Sequence, residues 1–300
     1  FGNEIDVNER NVYTLANAVF IDVDPIAGWA DITNIPYYAG LGGIRVRGQS
    51  SALMPKKGYK FETWNKVSEE KNVSLLGMPA ESDWAFFGPI FDKTLMRAIL
   101  AFQWSNEIGR YAPRTRYCEM FLNTNGGNVV LGDLGDVNPD SPYDYPGDYV
   151  GFYVLMEKIK SGPYRVDIAK LEPEDVAEPE MTGGYILQSD WNNTFTTSYA
   201  DFEYVEPDAA QITSAPAQSA WIQNYLNEFG NVLYSSNFAD PVNGYSKYID
   251  IPSYIDLDIL MEFYKNNDGN MFSTYLHKDR SGKLTMGPAW DQDQIFGLFS

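Results

Sequence analysis

The chain has one cysteine, Cys118, and one histidine, His277. A lone cysteine cannot close an intrachain disulfide, and its place in an apolar alternating run reads as a strand residue rather than a nucleophile. A lone histidine excludes multi-histidine metal sites and argues against a Ser-His-Asp triad; its own strand-like surroundings suggest a structural role. Positive charge is also scarce: 22 Lys and Arg stand against 41 Asp and Glu, a formal net charge of -19. That balance argues against nucleic acid or anionic membrane as a partner and favours cations and basic peptides. No run approaches the roughly 18 apolar residues of a membrane span, so none is expected, and no signal-peptide pattern opens the chain at Phe1.

Hydrophobic residues make up 44% of the 300 positions, enough for a substantial core in one large domain or two lobes. Alternation predicts strands at 18–24, Ile44 to Arg47, Tyr59 to Thr63, 116–123, 149–160 and 182–190. Residues 116–123 and 149–160 read as one antiparallel pair. The segment between them, 124–148, is acidic and turn-rich, with Asp133, Asp136, Asp140, Asp144 and Asp148, and reads as a solvated loop without EF-hand spacing. Helical spacing of Leu95, Ile99, Leu100 and Phe102 predicts a helix capped by Asp92 and stopped by Gly109, with Arg97 and Glu107 as its polar exceptions. Two more helices are expected: Gln218 to Phe229, ended by Gly230, and Ser253 to Lys265, opened by Pro252, with Leu257, Leu260, Met261 and Phe263 on its apolar side.

Chemistry concentrates in two stretches. In the segment 42–64, Arg47 ends the first strand, Gly48, Ser50, Ser51, Lys56 and Lys57 lie in the loop after it, and Lys60 lies in the second strand. Glycines and hydroxyls can cradle phosphates, and a lysine can pair with them. In the segment 262–297, Asp268 follows an apolar helix, Ser273 comes five positions later, and Asp291 and Asp293 follow a short strand. The arrangement matches in outline the pattern of protein kinases, in which an aspartate accepts the attacking hydroxyl's proton, a metal-binding side chain comes five positions later and a second acidic ligand lies at a nearby strand end. Magnesium accepts such hard oxygen donors and keeps waters besides.

The ending GKLTMGPAWDQDQIFG resembles the GP-x-WD-x-D-x-x-x-G signature of the CotH family, atypical kinases first known from bacterial spore coats. Further blocks agree in order: RG-x-SS followed by KK-x-Y around Arg47 to Tyr59, the segment 75–115, Glu157-Lys158 with Arg165 beyond it, and TGGY at 182–185. The resemblance implies an α+β chain with a two-lobe, atypical protein-kinase-like fold: a small lobe with an antiparallel sheet, 1–158, and a more helical large lobe, 159–300. It also implies an enzyme that uses ATP and Mg2+ or Mn2+ to phosphorylate protein serine or threonine. In that carry-over Asp268 is the catalytic aspartate and Asp291 the principal metal ligand, with Ser273, where the usual protein-kinase pattern has Asn, and Asp293 as accessory ligands. Lys60, Arg47, Ser50, Ser51 and the hinge-like strand end at Glu157 become the nucleotide contacts. A Ser-rich, basic protein substrate and a secreted, cell-surface or spore-coat location are the corresponding expectations. The segment 124–148 departs from the short turn usual in the family.

Two rival readings belong beside this one. A CotH-like chain without catalysis would serve as a surface binding, adhesion or scaffold module, and retention of both aspartates speaks for the enzyme. A two-carboxylate carbohydrate hydrolase would fit the aromatic content, but requires a carboxylate pair across an open aromatic cleft.

Overall fold

The computed structural model describes residues 12–48, 50–132, 147–190, 193–266, 269 and 272–298. The chain is α+β and divides into two compact units, one formed by 1–93 and 114–158, the other by 94–113 and 159–300.

The first unit is built on six antiparallel strands: β1 (Thr14–Phe20), β2 (Tyr38–Arg47), β3 (Gly58–Trp64), β4 (Asp83–Phe87), β5 (Thr115–Phe121) and β6 (Tyr149–Glu157). Their spatial order is β1-β2-β3-β4-β6-β5. Because successive side chains of a strand point to opposite faces, Ile44, Val46, Tyr59, Phe61, Trp84, Phe86, Tyr153 and Leu155 gather into one core, joined by Leu75 and Met78 from the β3–β4 connection. Fully burying such a side chain stabilises the fold by roughly 1.5–3 kcal/mol. The other face follows from the register: Arg45 stands opposite Lys60, Lys60 opposite Ala85, and Ala85 opposite Met156. Cys118 lies on β5, and burial pushes its thiol up to about 11, which makes it inert at neutral pH. The first strand lies earlier than the expected 18–24, because Asp22 and Asp24 turn the chain through side-chain bonds to backbone N–H groups of Val23, Ile26 and Ala27.

The second unit holds α1 (Arg97–Glu107), β7 (Tyr185–Ser189), β8 (Phe195–Thr196), β9 (Asp201–Glu206), α2 (Ala209–Ser214), α3 (Pro216–Leu233), α4 (Ile251–Tyr264), β10 (Thr274–Lys278) and β11 (Leu284–Met286). Its sheet runs β11-β10-β7-β9-β8, and its core includes Leu171, Tyr185, Leu187, Ile222, Leu226, Leu276 and Leu284. Helices α1 and α4 are joined by the Tyr264 hydroxyl donating to the Ala101 carbonyl at 3.0 Å and by Arg110 paired with Asp256 at 2.7 Å. Lys278, at the end of β10, is buried; its ammonium donates to the carbonyls of Thr182 and Gly282 at 2.6 and 2.9 Å and lies 4.9 and 4.8 Å from the ring centres of Trp221 and Tyr225. Among the described residues no helix is long and apolar enough to cross a membrane.

Several local expectations need correction. Leu95 has a φ of 62°, which a helix cannot accommodate, so α1 begins at Arg97 behind Met96 without a side-chain cap, and Asp92 does not cap it. Gly230 does not stop α3, which continues to Leu233. Glycine is needed there because a Cβ would lie 2.0 Å from the Tyr199 ring. On α4 the cap is Asp250, whose carboxylate accepts from the Ser253 N–H, and Phe263 faces outward, 63% exposed, while Tyr264 takes the buried place. His277 is structural as expected: its Nδ1 lies 3.0 Å from the Gly287 carbonyl, and burial lowers its pKa. Of the acidic segment, 133–146 lies outside the described residues; Asp148 is a turn anchor, accepting from the Val130 N–H and from Asn123.

Candidate functional site

In the second unit, strand pairing brings three oxygen-bearing side chains together. Thr274 on β10 stands opposite Ser189 on β7, so the residues just beyond that pair, Ser273 and Asp190, are neighbours at the strand ends. The Ser273 hydroxyl lies 3.1 Å from Asp190 Oδ2 and 3.3 Å from Asp291 Oδ2, within donating reach of both carboxylates. Asp190 is further held by Gln188, whose side-chain amide donates to Oδ2 at 2.6 Å. Asp291 follows Ala289 and Trp290, both buried, with Trp290 packed against the rings of Phe102 and Tyr275. That anchor leaves the Asp291 side chain exposed, whereas Asp293 is buried. Of the two aspartates in the WDQD run, Asp291 is therefore the one presented to solvent beside Ser273.

Ser273 and Asp291 have φ values of 52° and 53°, in the left-handed region. Asn and Asp tolerate that region better than Ser, so position 273 carries a conformational cost that an asparagine would reduce.

Asp268 lies outside the described residues. Its flank is placed, however. The Asn266 side chain donates to Gln292 Oε1 at 2.8 Å, and Gln292, itself buried, donates to the Trp290 carbonyl at 2.6 Å. The chain just before Asp268 is thus tied to the residue next to Asp291. Among the described residues no three His, Cys, Asp or Glu side chains converge into a metal-holding group. What is present is the all-oxygen set Asp190, Ser273 and Asp291, hard donors of the kind that Mg2+, Mn2+ and Ca2+ take.

In the first unit the expected phosphate contacts separate. Lys60 sits on the non-core face with Arg45, Arg47 and Lys158 near enough to act on its charge; burial first, then those cations, push its pKa down to about 7, with Asp83 pulling the other way. Asp83 in turn pairs with Lys158 at 3.5 Å. Gly48 has a φ of +100°, and a Cβ there would lie 2.0 Å from Ser51 Oγ, so the RG-x-SS turn demands glycine at this place. Ser50 opens a short 3-10 turn, Ser50–Leu53, and its side chain lies outside what is described.

Three other residues of these blocks are committed to the protein itself. Lys57 donates to the Ala52 carbonyl at 2.8 Å, and Lys56 lies over the Tyr153 ring at 5.0 Å. Glu157 is fully buried, and its carboxylate receives Arg114 Nε, a terminal guanidinium nitrogen and the Arg114 backbone N–H, at 2.7–3.1 Å. The expected nucleotide contact at Glu157 is, in its side chain, an anchor between the end of β6 and the start of β5. Arg97 and Glu107, on α1, lie near Thr94 and Gln103 respectively.

Reasoning from sequence missed Asp190, the Asn266–Gln292 link and Arg45, and it named Lys158 without placing it beside Lys60 and Asp83. Arg45 left a trace: it and Arg47 alternate with Ile44 and Val46, which places both arginines on the face of Lys60. Asp190 closes a strand-like run, but only the pairing of β7 with β10 reveals its neighbour.

The family model described as CotH kinase protein matches residues 44–300. No curated protein matches the chain. A match over most of the sequence means that the chain belongs to the CotH kinase family, as the blocks from Arg47 to Gly297 suggested.

Proposed function

We propose that this chain is an ATP- and divalent-metal-dependent protein kinase of the CotH type, transferring the γ-phosphoryl group of ATP to serine or threonine of a protein substrate. The observation that carries the reading is the Ser273 hydroxyl set between the carboxylates of Asp190 and Asp291, in a family of kinases. Bound there, Mg2+ or Mn2+ would neutralise charge on the nucleotide phosphates. Asp291 and Ser273 would hold it, with Asp190 alongside, while Asp293 supports the segment from its buried place. In the first unit Lys60 and Arg47, with the Gly48–Ser51 turn, supply the phosphate contacts. Asp268 accepts the proton of the attacking hydroxyl as its oxygen bonds to the γ-phosphorus and the bond to the ADP oxygen breaks. Catalysis of this kind rests on positioning and electrostatic stabilisation rather than on a covalent enzyme intermediate.

In this reading the two units are the two lobes of an atypical kinase, and the charge of -19 selects basic, Ser-containing substrates. Secretion or display at a cell or spore surface is part of the same proposal. The decisive experiment incubates the purified chain with γ-labelled ATP and Mg2+ or Mn2+, alone and with basic Ser-containing peptides. Metal-dependent label on serine supports the proposal. Absence of transfer together with absence of any ATP-induced thermal shift overturns it in favour of a binding or scaffold module.

A further inference from the structure

The end strands of an open sheet expose rows of N–H and C=O groups, and proteins blunt them with charge, proline or bulges. The six-stranded sheet treats its two edges differently. Strand β5 carries exposed Arg116 and Glu119 and an irregular register at Met120 and Phe121. Strand β1, TLANAVF, has no charge and no proline, and pairs with β2 in unbroken register from Thr14 to Phe20. Among the described residues β2 is its one strand neighbour. Its outward side chains Leu15 and Val19 are 44% and 59% exposed.

The connection from β1 to β2, which starts at the Phe20–Tyr38 end of the pair, is apolar and exposed as well. Ile26, Trp29, Ile32 and Ile35 are 96%, 66%, 66% and 94% exposed. They are held outward by turns that satisfy their own backbone. Asp24 accepts from the N–H groups of Ile26 and Ala27, the Asp24 N–H donates to the Trp29 carbonyl at 3.0 Å, and Asp31 accepts from the Thr33 N–H and hydroxyl. Scattered apolar side chains are ordinary on a surface; four large ones on an ordered connection that continues directly from a strand edge without charge or proline mark an interaction surface.

Charge selects the occupant. From Val12 to Ile44 there is no lysine or arginine, and the acidic residues are Asp22, Asp24 and Asp31. A second copy would bring the same three aspartates and another charge of -19 against them, and an anionic membrane would be repelled likewise. We propose that the edge of β1 that no described strand covers and the connection 21–37 form a strand-addition site for an extended segment of a partner protein in which lysine or arginine alternates with β-branched or aromatic residues. Main-chain bonds to β1 supply affinity, the apolar alternate side chains cover Leu15, Val19 and the exposed isoleucines, and the cations meet the aspartates. The surface precedes the family-matched span 44–300 and does not depend on the kinase reading.

The test titrates a fluorescein-labelled peptide of alternating lysine and valine with the full chain and follows anisotropy. A glutamate–valine peptide and a lysine–glycine peptide serve as comparisons. Saturable binding of the lysine–valine peptide is expected, weakening as salt rises, with little binding of the other two. The double variant Leu15→Lys/Val19→Lys and the triple variant Ile26→Ser/Trp29→Ser/Ile35→Ser change exposed side chains only, so circular dichroism should stay unchanged while affinity falls at least about tenfold. Hydrogen exchange on the wild-type chain should slow at 14–20 when the peptide is present. Equal affinity in wild type and variants overturns the proposal, as does equal binding of the lysine–glycine peptide. A concentration-dependent dimer abolished by the variants, or Trp29-dependent sedimentation with phosphatidylcholine vesicles, overturns it in favour of a second copy or a membrane.

Discussion

Arg45 and Lys60 stand directly opposite each other on neighbouring antiparallel strands, two cations where cross-strand pairing ordinarily avoids like charges. Burial first, then Lys158, Arg45 and Arg47, make the charged form of Lys60 costly, and a bound anion would relieve that cost. Folded Lys60 releases its proton near pH 7, against 10.5 for the ordinary lysine. Below about 7 both folded and unfolded chains are protonated and the whole cost is present. From there up to the unfolded value the unfolded chain binds more protons, so this residue makes stability rise with pH. Lys60→Met should therefore be more stable than wild type at pH 6, with the difference shrinking toward pH 9, while the ATP-induced rise in Tm is lost. Urea titrations at the two pH values decide it; a variant less stable than wild type at pH 6 rules out the cost, and an unchanged ATP shift rules out the phosphate contact.

The Glu157–Arg114 pair separates structure from ligand binding. Glu157 is fully buried and its carboxylate accepts from the Arg114 backbone N–H and guanidinium, with Arg114 itself partly exposed. Removing one partner of a buried ion pair costs about 3–5 kcal/mol, and the exposure of Arg114 puts this case near about 3 kcal/mol. Glu157→Gln should lower the urea midpoint accordingly and leave the affinity for ATP unchanged at temperatures where the fold persists. A stable variant with weakened ATP binding would return the carboxylate to the nucleotide.

Lys278 poses the opposite question, whether a buried cation held by carbonyls and aromatic rings helps or harms. Burial lowers its pKa to about 8, so at pH 7 it remains an ammonium. Replacing a buried charge with an apolar group often stabilises, but here the Thr182 and Gly282 carbonyls would be left without their donor. Each unsatisfied buried group costs about 1–3 kcal/mol, and the two ring contacts go as well. Lys278→Met should thus destabilise by about 2–4 kcal/mol, read from chemical denaturation. A gain in stability would mean that desolvation outweighs the cage.

The strands carrying Arg47, Lys60, Glu157 and Asp190 were legible because their apolar positions alternate, and alternation is a local signal. The antiparallel pairing of the segments at Thr115–Phe121 and Tyr149–Glu157 was legible for the same reason. What stayed hidden depends on residues far apart in sequence. Gly230 looks like a helix stop until Tyr199 is found against it, and Asp190 looks like a strand end until β10 sets Ser273 beside it. Phe263 and Tyr264 are adjacent aromatics on α4, and periodicity alone did not say which faces inward; the Ala101 carbonyl, which accepts from the Tyr264 hydroxyl, decides. Motif order identified the family, whereas the partners of each motif residue emerged only from packing.

The two aspartates assigned different work should fail in different ways. Asp268, as the acceptor of the hydroxyl proton, acts at the chemical step, and a positioned base of this kind contributes about 10²–10⁴-fold. Asp268→Asn should keep the fold and the metal-dependent thermal shift with ATP, yet lose turnover by about that factor. Asp291 shares the Ser273 hydroxyl with Asp190 and faces solvent, so its carboxylate is placed to hold a cation. Asp291→Asn removes a charged oxygen from that set and should weaken binding of Mn2+, measured by calorimetry or by paramagnetic resonance without any turnover. A ligand at a hundred times its dissociation constant stabilises by about 2.7 kcal/mol, and this gain should vanish in Asp291→Asn at low metal and return in part as metal is raised. Asp190→Asn should fall between the two, with weaker Mn2+ binding than wild type, because Ser273 and Asp291 remain. A reversal, with Asp268→Asn losing metal-dependent binding and Asp291→Asn keeping it, would exchange the two roles; full turnover in both would remove catalysis from this stretch.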